Sequence, residues 1–326
     1  GTGPYKLVDY QSGSYLKFEA NENYYKGEPS IKNVVFQIIE NADTAILALQ
    51  NGEVDAYQMT PQQVKKLDLD ASNLSTYSYS EGRVGYLEIN CNRVTDEKVR
   101  KALLYAMDRK AMDDAAFESS EYYSIPYTFL PTNSQFYTED GVEKYEQDVD
   151  KAKSMLEDAG VSGLKLKLGY MSSDAVQSAQ ALLIQEQLKE VGVTVELAGG
   201  DGTAIANAMK DPDNEYDMYL GGYIMGIDPD TFSSLFENDG AYNYMHYSGY
   251  DTIDQLFEEG RSELDESARK ETYAKLQAAV QDTGAFYPII SNNKILVVNN
   301  RIQGVEDAGL VPVYTFEDTS SLKIAE

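Results

Sequence analysis

Side chains suited to covalent or metal chemistry are scarce in this sequence. Its 326 residues include one cysteine, Cys91, and one histidine, His246. A zinc site needs several such ligands, so no metal and no cofactor is expected. A Cys/His nucleophilic pair is arithmetically possible, but Cys91 sits in Glu88-Ile89-Asn90-Cys91-Asn92, which reads as a strand end with a small apolar residue. One cysteine cannot form an internal disulfide, which suits a reducing compartment or a cell surface that uses few of them. No nucleophile elbow, phosphate-cradling loop or dinucleotide fingerprint is present. Carboxylates abound, with 54 Asp and Glu against 27 Lys and Arg. A carboxylate pair at glycosidase spacing is therefore available by number alone, and a glycoside hydrolase is a remote alternative without specific support. Any aromatic stacking on a ligand falls to tyrosine, since there are 26 Tyr and no Trp.

The net charge of −27 repels phosphate backbones, which excludes nucleic acid as a partner and disfavours anionic membranes. The acidity serves solubility, or at its sharpest the attraction of cationic ligands or a cationic wall polymer. No run approaches the roughly 18 apolar residues of a membrane span, so this segment does not insert directly.

The elements that must position any site alternate between strand and helix. Residues 14–20 alternate as a half-buried strand, and Val34-Val35-Phe36-Gln37-Ile38-Ile39 has the pattern of one buried on both faces. Residues 41–52 form a helix capped by Asn41 or Asp43 and stopped by Gly52, 54–57 a strand, and Thr60-Pro61 opens a short helix. A second block starts at Val84 with a strand, followed by one amphipathic helix over 96–112 and a loop-rich stretch with Pro126 and Pro131. Helices follow over 150–159, 175–191, 252–263 and 266–283. Strands are expected over 164–168, 193–197, 216–220, 287–290 and 294–298. Such alternation indicates α/β domains with covered sheets.

Several segments carry a specific resemblance. Gly1-Thr2-Gly3-Pro4-Tyr5 with Tyr24-Tyr25-Lys26-Gly27-Glu28-Pro29, and Ala48-Leu49-Gln50-Asn51-Gly52-Glu53-Val54-Asp55, are in order with Gly85-Tyr86-Leu87 and Val99-Arg100-Lys101-Ala102-Leu103. Ala106-Met107-Asp108-Arg109, Asp150-Lys151-Ala152-Lys153-Ser154-Met155-Leu156, Asp228-Pro229-Asp230 and Asn243 with Tyr247-Ser248 complete the series. Together they resemble the peptide/nickel/opine-type solute-binding proteins of ABC importers, family 5, over nearly the whole chain.

The resemblance implies a type II periplasmic-binding-protein-like α/β fold of two lobes. Residues 1–83 with 291–326 would make a partial lobe, and 84–290 a complete one, with hinge crossings at Arg83 and Ser291. Family members carry a long section ahead of the Gly-Thr-Gly-Pro segment, so the chain is expected to be an N-terminally truncated member. The function implied is the capture of oligopeptides in an interlobe cleft, without catalysis, and delivery to ABC-transporter permease subunits. The site would be periplasmic or at the cell surface, lipid-anchored in the full-length protein. Another solute on the same scaffold (an oligosaccharide, a metal chelate or an opine) is the alternative.

Three segments are expected to face the ligand. The first holds Tyr86, Asn90 and Asn92, although sheet packing explains Tyr86 equally well. The second, 221–230, brings Tyr223, Met225 and Asp228, although Asp-Pro-Asp also favours a plain turn. The third brings Asn243 and Tyr247, with His246 more often a hydrogen-bonded surface group than a ligand contact. Peptide-binding relatives commonly carry an aspartate for the ligand's free amino group a few residues after the aromatic of the second segment. Met225-Gly226 stands there in this chain, so either Asp228 substitutes or the ligand lacks a free amino terminus.

Overall fold

The structure, a computed structural model, describes residues 1–69, 73–117, 120–224, 228–247, 249, 251–312 and 314–325. The chain divides into two compact units, one of residues 1–81 with 293–326 and one of residues 82–292.

The first unit opens with an antiparallel meander of β1 (Tyr5–Gln11), β2 (Tyr15–Ala20) and β3 (Asn33–Gln37). Helix α1 (Ala42–Gln50) is capped by the Asn41 side chain on the Thr44 amide and buries Ala45, Ile46, Ala48 and Leu49. Strand β4 (Ala56–Met59) follows, then α2 (Pro61–Val64), whose Thr60 and Gln63 form a reciprocal capping box, then β5 (Leu74–Ser80). The expectation of a strand buried on both faces over 34–39 is corrected. Strand β3 is the edge of the meander, and Val35 and Phe36 are exposed. A β-branched run encodes fit to a pleated sheet, not what covers that sheet.

The second unit is built on β6 (Arg83–Ile89). It continues with α3 (Glu97–Tyr105), α4 (Arg109–Phe117), β7 (Tyr123–Ser124), α5 (Val149–Asp158), β8 (Lys165–Met171) and α6 (Ala175–Glu190). After these come β9 (Thr194–Gly200), α7 (Gly202–Ala208), β10 (Met218–Ile224), α8 (Ser233–Phe236), α9 (Asp251–Ser262) and α10 (Glu266–Asp282). The last strand, β11 (Phe286–Asn299), pairs with β6 and β7 through its first half. Strand β6 pairs antiparallel with β10, which runs parallel to β8, itself parallel to β9. The two faces of β6 carry different cores, as a period of two requires. Leu87 and Ile89 join the α3–α6 layer with Leu103, Leu156, Ile184 and Leu188. Val84 and Tyr86 join an aromatic layer with Phe129, Phe232, Phe236, Phe257 and Tyr273.

Two boundaries differ from expectation. The single helix over 96–112 is two, because the carbonyls that would continue it are taken from outside. Asp148 donates its amide to the Tyr105 carbonyl (2.8 Å), Gln147 Nε2 donates to Ala106 (3.3 Å), and the Tyr287 hydroxyl donates to Met107 (3.1 Å). Asp108 then accepts from the Ala111 amide and starts α4. The two strands expected over 287–290 and 294–298 are one, β11, because each half finds partners. Its second half pairs with β4 and β5 in the first unit. That unit closes with the short pairs β12 (Ile302–Gln303) with β15 (Lys323–Ile324) and β13 (Leu310–Val311) with β14 (Thr315–Phe316).

Candidate functional site

The three segments that sequence reasoning selected all lie in the second unit, around the ends of β6 and β10. Gly221 and Gly222 of β10 lie opposite Tyr86 and Gly85 of β6. A Cβ on Gly221 would fall 2.6 Å from the Tyr86 ring, so glycine is what lets that ring lie against the neighbouring strand. Tyr86 itself is buried, with its centroid 4.7 Å from that of Phe286.

On the same face of the sheet a row of tyrosines runs outward. Tyr219 and Tyr244 have ring centroids 5.7 Å apart, Tyr244 and Tyr242 6.4 Å, and Tyr242 and Tyr223 6.0 Å. These separations lie within the range of tilted and edge-to-face pairs. The row passes from buried Tyr244 to exposed Tyr242. The half-buried Tyr223 shares a hydrogen bond of 2.6 Å between its hydroxyl and that of Ser234.

Behind the row lies Glu88, buried, with neither carboxyl oxygen hydrogen-bonded among the described residues. Burial raises its pKa well above the usual carboxylate value, which favours the protonated form. Burial, then the neighbouring Glu88, also raises Tyr219, and pushes Tyr244 up to about 12. Tyr219 and Tyr244 are therefore neutral phenols.

A hollow of about 430 Å³ opens beside these rings, lined by Lys210, Asn238, Asp239, Asn243, Tyr244, His246 and Tyr247 among others. Asn243 is held by its Nδ2 donating to the Glu237 carbonyl at 3.1 Å. His246 has a left-handed backbone (φ 47°), and its Nε2 lies 2.8 Å from the Met209 carbonyl. A carbonyl only accepts, so that nitrogen carries the proton. Tyr247 packs its ring 5.8 Å from the Arg100 guanidinium. A larger hollow of about 590 Å³, around Tyr105, Glu143 and Lys151, is lined by none of the expected site residues.

The remaining expected residues are placed as follows. Asn90 is fully buried and holds a turn, accepting from the Asn92 amide at 3.0 Å and donating to the Pro212 carbonyl at 3.3 Å. Asn92 is exposed. Asp228 caps a short 3-10 turn by accepting from the Asp230 amide, and its carboxylate pairs with Arg269 of α10 at 3.1 Å. Asp230 pairs likewise with Arg261 of α9 at 2.9 Å. Met225 lies outside the described residues, as do Gly226 and Ser248. Ser291 is buried and accepts from the Ser124 hydroxyl through its carbonyl. Arg83 is half-buried at the start of β6.

Asn243, Tyr247 and His246 thus meet at one hollow, and Tyr223 joins it through the row. Sequence reasoning missed Lys210, Asn238 and Asp239, which reach the hollow from the end of α7 and the loop after α8, and Tyr219, Tyr242 and Tyr244 in the row. The alternation of Tyr242 and Tyr244 around Asn243 was the one local signal available.

Cys91 is buried, and burial pushes its thiol up to about 11, which keeps it protonated and a poor nucleophile. Among the described residues no group of three or more His, Cys, Asp or Glu side chains converges on a metal site. No helix there is long and apolar enough to cross a membrane.

Comparison with known proteins adds an independent line. The model of the bacterial extracellular solute-binding proteins, family 5 (middle section), matches residues 1–244. The oligopeptide-binding protein AppA of Bacillus subtilis is 27% identical over 92% of this chain and 58% of its own length. The dipeptide-binding protein of Escherichia coli is 26% identical over 93% of this chain, again 58% of its length. Other matched relatives are named as nickel-binding and heme-binding proteins. The crystal structure of the ABC transporter substrate-binding protein CtaP of Listeria monocytogenes superposes with a TM-score of 0.93. It has 38% identity and is matched over 100% of this chain and 67% of its own. The fold is thus the two-lobed α/β fold of periplasmic binding proteins. The chain spans 58% of the length of the first two relatives.

Proposed function

The chain belongs to the bacterial extracellular solute-binding proteins of family 5, and from that footing we propose that it is the solute-capturing component of an ABC importer and takes oligopeptides. It works outside the cytoplasm, hands its cargo to the permease subunits and catalyses no reaction. Arg83 and Ser291, each within two residues of a crossing between the units, act as its hinges.

The observation that supports a peptide best is the hollow beside the tyrosine row. Its lining mixes amides, a hydroxyl-bearing aromatic wall and one lysine with one aspartate. Amides and phenols can bond to a peptide backbone, which every sequence shares, while open space and water accommodate the side chains that differ. Lys210 and Asp239 offer opposite charges for the two ends of a zwitterion. Asp228 is less suited to the ammonium end than the sequence suggested, because Arg269 already pairs with it. Asp239, exposed at the rim, is the better partner.

The test is calorimetric titration with a pool of short peptides, followed by oligosaccharides and a nickel chelate. Heat with peptides that is weakened by Asn243→Ala and Asp239→Asn supports the reading. Heat only with sugars or the chelate keeps the family and overturns the ligand class.

A further inference from the structure

We propose that Arg83 is a carboxylate receptor whose guanidinium binds a carboxylate of the captured solute. The proposal rests on the solute-binding reading above and adds a chemical class to it.

The chain has seven arginines, and six are engaged. Arg93 pairs with Asp217, Arg261 with Asp230, Glu237 and Glu258, Arg269 with Asp228, and Arg301 with Asp55. Arg100 and Arg109 donate to backbone carbonyls. Arg83 is the exception. It is half-buried, yet its guanidinium makes no hydrogen bond or ion pair among the described residues. In a chain with 54 carboxylates for 27 cations, an arginine that pairs with no carboxylate among the described residues stands out.

The fold also makes room for it. Gly85 and Gly222 lie directly opposite each other in the β6–β10 pair, on the face that Arg83 shares. A Cβ on Gly222 would fall 2.0 Å from Nη2, 2.3 Å from Cζ and 2.6 Å from Nε of Arg83. A Cβ on Gly85 would fall 2.8 Å from Cγ2 of Ile290 and 3.2 Å from Nη1 of Arg83. Neither glycine has positive φ, so the backbone does not require glycine there. At Gly222 the guanidinium fills the space a Cβ would take, while at Gly85 Ile290 and the guanidinium share it. Glycine weakens a strand interior, and at Gly222 the flat guanidinium lying against the strand gives a reason for it.

The guanidinium is a planar fork of N–H donors, which suits two parallel N–H···O bonds to a carboxylate. A net charge of −27 makes a local cation necessary for any anionic group to bind. Two titratable groups that feel Arg83, the phenols of Tyr86 and Tyr219, are held neutral by burial, so neither competes for it.

The experiment compares three peptides on the 326-residue chain: tetraalanine, its C-terminal amide, and the amide of Ala-Glu-Ala-Ala. The last separates a side-chain carboxylate from a terminal one. Each is titrated against wild type, Arg83→Gln and Gly222→Ala. At least one carboxylate-bearing peptide should bind wild type about tenfold to a hundredfold better than tetraalanine amide. Arg83→Gln should abolish that preference. Gly222→Ala, which keeps the charge but fills the cradle, should reduce it. A preference that survives Arg83→Gln, or no preference in wild type, overturns the proposal.

If no peptide binds wild type, the oligopeptide reading falls and Arg83 is judged separately. Succinate should slow phenylglyoxal modification at Arg83, read by peptide mass spectrometry, and should leave Arg301 unaffected. Equal reactivity with and without succinate overturns the receptor.

Discussion

Replacing Asp113 with asparagine should make the second unit more resistant to alkaline pH. Asp113 lies on α4, fully buried, and accepts from Gln180 Nε2 of α6 at 3.4 Å through one oxygen. The other oxygen has no hydrogen-bond partner among the described residues. Arg109, one turn earlier, does not neutralise it, since Nε and Nη1 of that guanidinium donate to the carbonyls of Pro288 (2.7 Å) and Tyr145 (3.2 Å). Burial therefore dominates and raises Asp113 from 3.8 to about 8, against smaller lowering effects of Gln180 and Arg109.

In the window between those values the native state holds a proton that the unfolded chain has released. Stability accordingly falls as pH rises through it, and the loss is complete only above the folded value. At about 1.36 kcal/mol per pK unit, the full cost is on the order of 5 kcal/mol, and about 3–4 kcal/mol of it develops between about pH 5 and about pH 8. Asparagine has the same shape and no charge to release, so Asp113→Asn should gain that amount on wild type between the two pH values. Glu88, buried and raised in the same direction, remains in both proteins and cancels in the comparison.

Because the chain has two units, the assay should follow the second alone. Cys91 is the chain's one cysteine and is buried in that unit, so its reaction with dithiodipyridine along a urea series reports the opening. Parallel loss of stability in wild type and Asp113→Asn would refute the assignment of the titration to this carboxyl.

Three further outcomes follow from the packing. Gly221→Ala places a methyl group 2.6 Å from the Tyr86 ring and should destabilise the second unit by about 1–3 kcal/mol in urea unfolding, whereas Gly221→Ala combined with Tyr86→Leu should recover part of that loss. Asp228→Asn breaks a partly exposed pair with Arg269 and should change stability by less than about 1 kcal/mol, so any large loss of peptide affinity in that variant, measured by calorimetry, would reinstate Asp228 as a ligand contact. Tyr287→Phe removes the hydroxyl that donates to the Met107 carbonyl between α3 and α4 and should cost about 1 kcal/mol in thermal unfolding, with no change in solute affinity.

The alternation of strand and helix, the helix stops and several caps were legible in the sequence because each is decided within a few residues. Asn41 and Asp150 sit at or beside helix starts, and Gly52, Gly160 and Gly192 adopt the positive φ that ends helices α1, α5 and α6. The ordered motifs also carried family membership, which no single element could. What the sequence could not reveal was decided between segments far apart in the chain. Helix 96–112 breaks because Gln147, Asp148 and Tyr287 claim its carbonyls, and no periodicity reports a donor arriving from elsewhere. The exposure of β3 and the continuity of β11 depend on which strands lie alongside, since a β-branched run is identical at a sheet's edge and in its centre. The site divides the same way. Asn243 and Tyr247 could be singled out from their own motif. Lys210 and Asp239 at the hollow, and the glycine cradle under Arg83, exist only because strand register and loop packing bring distant residues within a few ångströms.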